Sequence, residues 1–356
     1  MMNEKRASIF NSARRVVVKI GSNVLTEDHG LNLSAIRSIS RQVCHLIDGG
    51  IEIILVSSGA MASGIRKVGL DKRPDEIPKR QAIAAVGQAG LIMEYEKAFA
   101  RYHKKVAQIL LTGPIINEND TVMIEEIQFG DNDNLAAMIT LLMDADILVN
   151  LTDIDGLYTK DPRTNSDADF IPLVSNIGED IKKIASDIPG ALGTGGMLSK
   201  TNAAKKVTAA GIPMVIANGG KPDVLKKLFS GKDVGTFFTP KNKKLKSRKC
   251  WIAFTLKPKG VIRIDDGAAA AILSRGKSLL PSGIVGVEGE FSVGAPVEFR
   301  KTDGEALGTG LVNYNSTDIR KIMGLKSSQI KNRLGHKPYD DVIHRDNLAV
   351  TAECHL

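Results

Sequence analysis

Aromatic residues are scarce in this chain: they make up 4% of 356 residues, with a single tryptophan, Trp251. A surface that reads single strands of nucleic acid by stacking bases needs more than Trp251 and its neighbour Phe254. Those two are expected to pack where domains join. Cysteine is equally thin. Cys44, Cys250 and Cys354 are odd in number, scattered and without the paired spacing of a zinc site, which argues against a disulfide framework or a structural metal. No apolar run approaches the roughly 20 residues of a membrane-spanning helix, and Met1-Met2-Asn3-Glu4-Lys5-Arg6 lacks the apolar stretch of a secretory signal. A cytoplasmic protein with no membrane partner is expected. Two familiar nucleotide signatures are missing as well: there is neither the Gly-x-x-x-x-Gly-Lys-Ser/Thr of a P-loop nor a Gly-x-Gly-x-x-Gly following a strand.

The bulk composition is that of a soluble globular protein, with 43% hydrophobic and 25% charged residues. The length favours two domains. Much of the net charge of +8 sits in Lys241 to Lys249, where six of nine residues are Lys or Arg and none is acidic. A solvated linker is the plain reading of that run. Through the first 240 residues, strand-like segments at 15–20, 51–56, 106–111, 115–116, 147–151 and 214–217 alternate with helical patterns at 33–47, 80–101, 135–143 and 200–210. This rhythm predicts an α/β domain over residues 1–240, with a mostly parallel central sheet flanked by helices and ligands at the carboxyl ends of the strands. Beyond the basic linker at 241–249, short β runs at 260–264, 283–288 and 295–299 predict a small β-rich domain over 250–356. One junction breaks the rule. Only Gly113 separates Thr112, at the end of one predicted strand, from Pro114 at the start of the next, whereas parallel neighbours need a crossover of a dozen or more residues. Either the two strands form a hairpin or a crossover segment is absent.

The most informative segment is Gly193-Thr194-Gly195-Gly196-Met197-Leu198-Ser199-Lys200, which runs into a helical pattern. A glycine-rich turn at a helix start exposes N–H groups beside the positive end of the helix dipole, and a lysine one turn in adds a full charge. That is a place to hold phosphate. Val16-Val17-Val18-Lys19-Ile20-Gly21-Ser22 puts a second ammonium at the end of a buried-type strand, and Val56-Ser57-Ser58-Gly59-Ala60 repeats the design with hydroxyls. Two polar clusters, Asn117-Glu118-Asn119-Asp120 and Gly130-Asp131-Asn132-Asp133-Asn134, carry more acids and amides than turns and helix caps require. Finally Leu151-Thr152-Asp153, with Gly156-Leu157-Tyr158 and Asp161-Pro162-Arg163, ends a strand in a loop able to flank a nucleotide.

Taken in order, these motifs resemble those of the glutamate 5-kinases, a branch of the amino-acid kinase family that carries a C-terminal PUA domain. The resemblance spans nearly the whole chain and includes Leu279-Leu280-Pro281-Ser282-Gly283-Ile284 and Tyr314-Asn315-Ser316 in the β-rich part. It implies an amino-acid-kinase-type sandwich followed by a PUA-like domain, and ATP-dependent phosphorylation of the L-glutamate side chain to glutamyl 5-phosphate for proline synthesis. By resemblance Ser58, Asn117, Asp120 and Asn132 hold glutamate. Lys19 and Lys200 stabilise the transferring phosphoryl group, Asp133 organises the two lysines, and Lys19, Thr152, Asp153 and the residues Thr194, Gly195, Gly196, Met197, Leu198, Ser199 and Lys200 line the ATP site. ATP with Mg²⁺ is implied, with no dedicated protein metal site. Feedback by proline and a homo-oligomer are further expectations. The chemistry agrees: a glutamate side chain with a pKa of about 4.3 is already ionised near neutral pH and needs no general base. Two readings stay open: an amino-acid kinase acting on aspartate or carbamate, and RNA binding by the PUA-like domain through the basic run.

Overall fold

The computed structural model describes residues 2–27, 30–108, 132–178, 181, 184, 196–241, 249, 252–253 and 256–350. The chain divides into two compact units, Met1–Lys241 and Asn242–Leu356. The first opens with α1 (Met2–Ser12), β1 (Arg15–Ile20), α2 (Ser22–Leu25), the short pair β2 (Thr26–Glu27) and β3 (Gly30–Leu31), α3 (Leu33–Asp48) and β4 (Glu52–Ser57). It continues through α4 (Ala60–Val68), α5 (Ile77–Ala100), α6 (Asn132–Leu142), β5 (Ile147–Thr152), β6 (Leu157–Tyr158), β7 (Phe170–Ile171) and β8 (Leu173–Val174). The helix α7 (Met197–Ala209), β9 (Met214–Asn218), α8 (Val224–Phe229) and β10 (Thr236–Phe238) complete it. The main sheet has the order β4-β1-β5-β9-β10-β8, with β4, β1, β5 and β9 mutually parallel and β10 antiparallel to β9. Of the strand expected at 106–111, residues 106–108 form no strand, and 109–111 lie outside the described residues together with the strand expected at 115–116.

The sheet has two unlike faces because strand side chains alternate. Val16, Val18 and Ile20 of β1, with Val149 and Leu151 of β5, join Ile36, Ile39 and Val43 of α3 in one apolar core. The spacing of those α3 residues gives a single apolar stripe. Asn32 starts α3 by accepting from Ala35 N at 2.8 Å, and Gly50, at φ +85°, lies just past its end. The other face receives the odd-numbered side of β1, Val17 and Lys19, and is covered by α6 and α7. One face of β1 is thus wholly apolar, while the opposite face carries the lysine Lys19.

The helices α4 and α5 pack with their backbones in contact. A Cβ on Gly64 would stand 1.9 Å from the Ile83 carbonyl oxygen, and one on Gly87 would stand 1.9 Å from that of Ala60. Gly59, at φ +108°, makes the sharp turn from β4 into α4 that other residues resist.

The second unit carries β11 (Val261–Ile264), α9 (Asp266–Arg275), β12 (Ile284–Glu288), β13 (Pro296–Lys301), β14 (Ala306–Leu311), α10 (Ser316–Ile322), α11 (Ile330–Leu334) and β15 (Leu348–Val350). Its sheet runs β12-β11-β13-β14-β15 over a core that includes Ile262, Val297, Phe299 and Tyr314. The Tyr314-Asn315-Ser316 motif is structural here: the Tyr314 hydroxyl donates to the Tyr339 carbonyl, and Asn315 caps α10 by accepting from Asp318 N at 2.8 Å. Trp251 and Phe254 lie outside the described residues.

Candidate active site

Four parallel strands end side by side, and the backbone pairing runs one residue beyond each strand. Gly21 N donates to Leu151 O at 2.8 Å, Ser58 N to Ile20 O at 3.1 Å, and Gly219 N to Thr152 O at 2.8 Å. The loops leaving Ile20, Ser57, Thr152 and Asn218 therefore start from fixed positions, as expected at the ligand edge of a parallel sheet.

Asp133 lies on the first turn of α6 with no exposed surface. Its two carboxylate oxygens are held from two directions. Oδ1 receives Lys19 Nζ at 2.5 Å and Asn150 Nδ2 at 2.7 Å, both from the sheet. Oδ2 receives Lys200 Nζ and Ser199 Oγ, each at 3.1 Å, both from the start of α7. Burial favours the neutral acid, yet the charges of Lys19 and Lys200 and the hydrogen bonds from Lys19 and Asn150 outweigh it and hold Asp133 down at about 2. Two ammonium groups brought together in a desolvated place suit the binding of an anionic ligand.

On one side of this centre, Asn132 Nδ2 donates to Ser58 Oγ at 2.9 Å, so two predicted glutamate-binding residues are already in contact. Ser58 is buried and follows Ser57, whose Oγ lies 2.8 Å from the Tyr95 hydroxyl of α5. Burial pushes the Tyr95 hydroxyl up to about 12, so it stays protonated and acts as a fixed neutral partner.

On the other side, Asp153 takes hydrogen bonds from Asn23 Nδ2 and from Thr152 Oγ1, each at 2.9 Å. Burial would raise its pKa, but those donors and the charge of Lys200 hold it below the usual carboxylate range. Gly196 precedes α7 and supplies no side-chain cap, leaving the N–H groups of the first turn to another acceptor. Within that turn Met197 is buried and Leu198 is exposed. Beyond Asp153, Asn218 Nδ2 donates to Asp155 Oδ1 at 3.0 Å, and Lys221 Nζ pairs with Asp155 Oδ2 at 2.6 Å. The following loop is ordered by Arg163, whose Nε and Nη2 meet Asp161 Oδ1 and Oδ2 at 3.0 and 2.9 Å.

Lys19, Lys200, Asp133, Ser58, Asn132, Thr152, Asp153, Gly196 and Ser199 thus gather along one edge of the sheet. Asn117, Asp120, Thr194 and Gly195 lie outside the described residues. Sequence reasoning gave no role to Asn150, Asn23 or Tyr95. Each sits within an ordinary apolar or helical pattern, and only the fold shows what it touches. Among the described residues, no three His, Cys, Asp or Glu side chains cluster as a metal cage, and no helix is long and apolar enough to cross a membrane.

The amino acid kinase family model matches residues 14–218, and the PUA domain model matches residues 260–334. The chain is 50% identical over 374 residues to the glutamate 5-kinase of Syntrophus aciditrophicus, covering 98% of this chain and 97% of that one. It is 47% identical to the glutamate 5-kinase of Geobacter sulfurreducens, covering 97% and 100%, and 47% identical to that of Carboxydothermus hydrogenoformans, covering 96% and 99%. In the first of these alignments, 98% of 356 residues is about 349, and 374 less 349 leaves about 25 aligned positions with no residue in this chain.

Proposed function

The chain belongs to the amino acid kinase family and, within it, to the glutamate 5-kinases, and from that premise we propose that Lys19, Lys200 and Asp133 form its phosphoryl-transfer centre. The reaction is the ATP-dependent phosphorylation of the side-chain carboxylate of L-glutamate to L-glutamyl 5-phosphate, the step that opens proline synthesis. Ser58 and Asn132 take the glutamate side, with Asn117 and Asp120 completing it by resemblance. Asp120 serves as counter-ion to the substrate ammonium. Thr152, Asp153 and the residues from Thr194 to Lys200 take the nucleotide side.

The observation that carries this reading is that Lys19 and Lys200, far apart in sequence, stand on opposite oxygens of one buried carboxylate. A glutamate carboxylate oxygen forms a bond to the γ-phosphorus while the bond from that phosphorus to the β–γ bridging oxygen breaks, and ADP carries the released charge away. No proton has to be removed from the nucleophile. Catalysis then consists of bringing two anions into line and neutralising charge on the phosphoryl and bridging oxygens, work suited to two ammonium groups and the N-terminus of α7. Asp133 holds both ammonium groups in place through its two carboxylate oxygens. Mg²⁺ in kinase sites binds through one or two carboxylates and substrate phosphates. Asp153 would be the carboxylate facing it, and the ion would neutralise phosphate charge.

An ATP-consumption screen with glutamate, aspartate, carbamate and acetyl-glutamate tests the substrate. Glutamate alone is expected to respond; turnover with aspartate or carbamate in its place would overturn the assignment.

A further inference from the structure

Strand β5 contains a residue that its surroundings do not call for. Leu148, Val149 and Leu151 are fully buried apolar residues, and Asn150 is buried to the same degree among them. An amide in such a place is costly unless its polar atoms are paired. Asn150 Nδ2 is paired, to Asp133 Oδ1 at 2.7 Å, while among the described residues its Oδ1 meets no donor. A leucine would fill the same space with no polar atom to satisfy. The donor therefore calls for a role of its own.

Register supplies one. Lys19 and Asn150 are direct partners across β1 and β5, so their side chains rise from the same face and converge on the same carboxylate oxygen. A lysine that follows the phosphoryl group through the reaction must loosen its hold on that oxygen. We propose that Asn150 is a positioning residue: its neutral amide keeps Asp133 Oδ1 anchored to the sheet, so that the Lys19 ammonium can be shared with the transferring phosphoryl group without freeing the carboxylate to turn. Oδ2 stays anchored to α7 through Ser199 and Lys200. This inference rests on the assignment of the transfer centre above.

The test uses the full chain carrying Asn150→Leu, with Asp133→Asn, the double variant and Lys200→Ala measured beside it. In Asn150→Leu, kcat is expected to fall about fivefold or more, with KM for ATP and for glutamate within about twofold and the thermal midpoint retained. A role in packing alone would instead lower the midpoint and leave kcat of the folded enzyme intact. The double variant is expected to turn over no more slowly than Asp133→Asn, because the amide acts through that carboxylate. An unchanged kcat, a rise in KM alone, or losses that multiply in the double variant would each overturn the proposal. If the leucine variant does not fold, Asn150→Ser, whose hydroxyl is too short to reach Asp133, carries the same expectations. Should Lys200→Ala turn over normally, the transfer centre itself is wrong; should it stop while Asn150→Leu runs at full rate, only the role of Asn150 is lost.

Discussion

In the Met1–Lys241 unit a carboxylate without exposed surface lies between ammonium groups whose side chains are 5% and 8% exposed, whereas in the Asn242–Leu356 unit Arg263 pairs with Glu288 at 46% and 53%. Both are ion pairs by geometry, yet water treats them differently. Solvent screens the second pair and can replace either partner, so its contribution is small. The first has given up its water, and its members depend on one another for position and stability. Where charges are buried against their solvation preference, the fold has concentrated the means for chemistry; where they stand in solvent, they decorate a β-rich unit held by Ile262, Val297, Phe299 and Tyr314.

The sharpest way to break this contrast is Asp133→Ala. With the carboxylate gone, two ammonium groups face each other without water, and a stability loss of about 3–5 kcal/mol is expected together with loss of turnover. Urea unfolding reads the first and ATP consumption the second; a stability change as small as that of a surface pair would erase the distinction. Next comes Lys200→Ala, expected to lower kcat by about 10²- to 10³-fold with a modest change in KM for glutamate, since its interaction strengthens as charge moves to the bridging oxygen. A raised KM for ATP at unchanged kcat would reduce Lys200 to a ground-state nucleotide contact.

Acid gives a third, smaller lever. Although burial disfavours the charged form, Lys19, Lys200 and the hydrogen bonds from Lys19 and Asn150 hold Asp133 at about 2 against an ordinary 3.8. A depressed pKa contributes stability that is complete above the unfolded-state value and disappears as pH falls through the folded one, so about 2 kcal/mol is lost between roughly pH 5 and pH 2. The stability gap between the wild type and Asp133→Asn should narrow as urea titrations move from pH 6 to pH 3; a constant gap would contradict the assignment. Smallest of all, Arg263→Ala in the second unit is expected to change stability by about 0.5 kcal/mol or less, with activity unaltered. A loss several times larger would show that this exposed pair matters as the buried one does.

Much of this molecule can be read before it is folded. The strand β5 and the helix α3 announce themselves by apolar periodicity, and their observed bounds fall within a residue or two of the pattern. The glycine-rich approach to α7 advertises its anion-binding start, because that property belongs to local backbone. Convergence is harder to see. Lys19 and Lys200 look like unrelated surface lysines until sheet order and helix packing bring them to Asp133, and resemblance rather than spacing paired them. Asn150 and Tyr95 left no trace, since a single amide in an apolar strand or a tyrosine on a long helix has many ordinary explanations. Of the segment expected as a strand at 106–111, residues 106–108 form no strand, because strand propensity is a weak guide apart from its neighbours.

The contact between α4 and α5 ties the carboxyl end of β4 into a closed frame. From Ser57 the chain passes through Gly59 into α4, crosses to α5 where Gly64 and Gly87 bring the backbones together, and returns through the Tyr95 hydroxyl to Ser57. A frame closed in this way has no slack member: widening the joint between the two helices by a single methyl group tilts the strut that carries Tyr95 and shifts the hydroxyl of Ser58. Gly64 and Gly87 are therefore positions at which an added methyl group is felt at Ser57 and Ser58, at the end of β4.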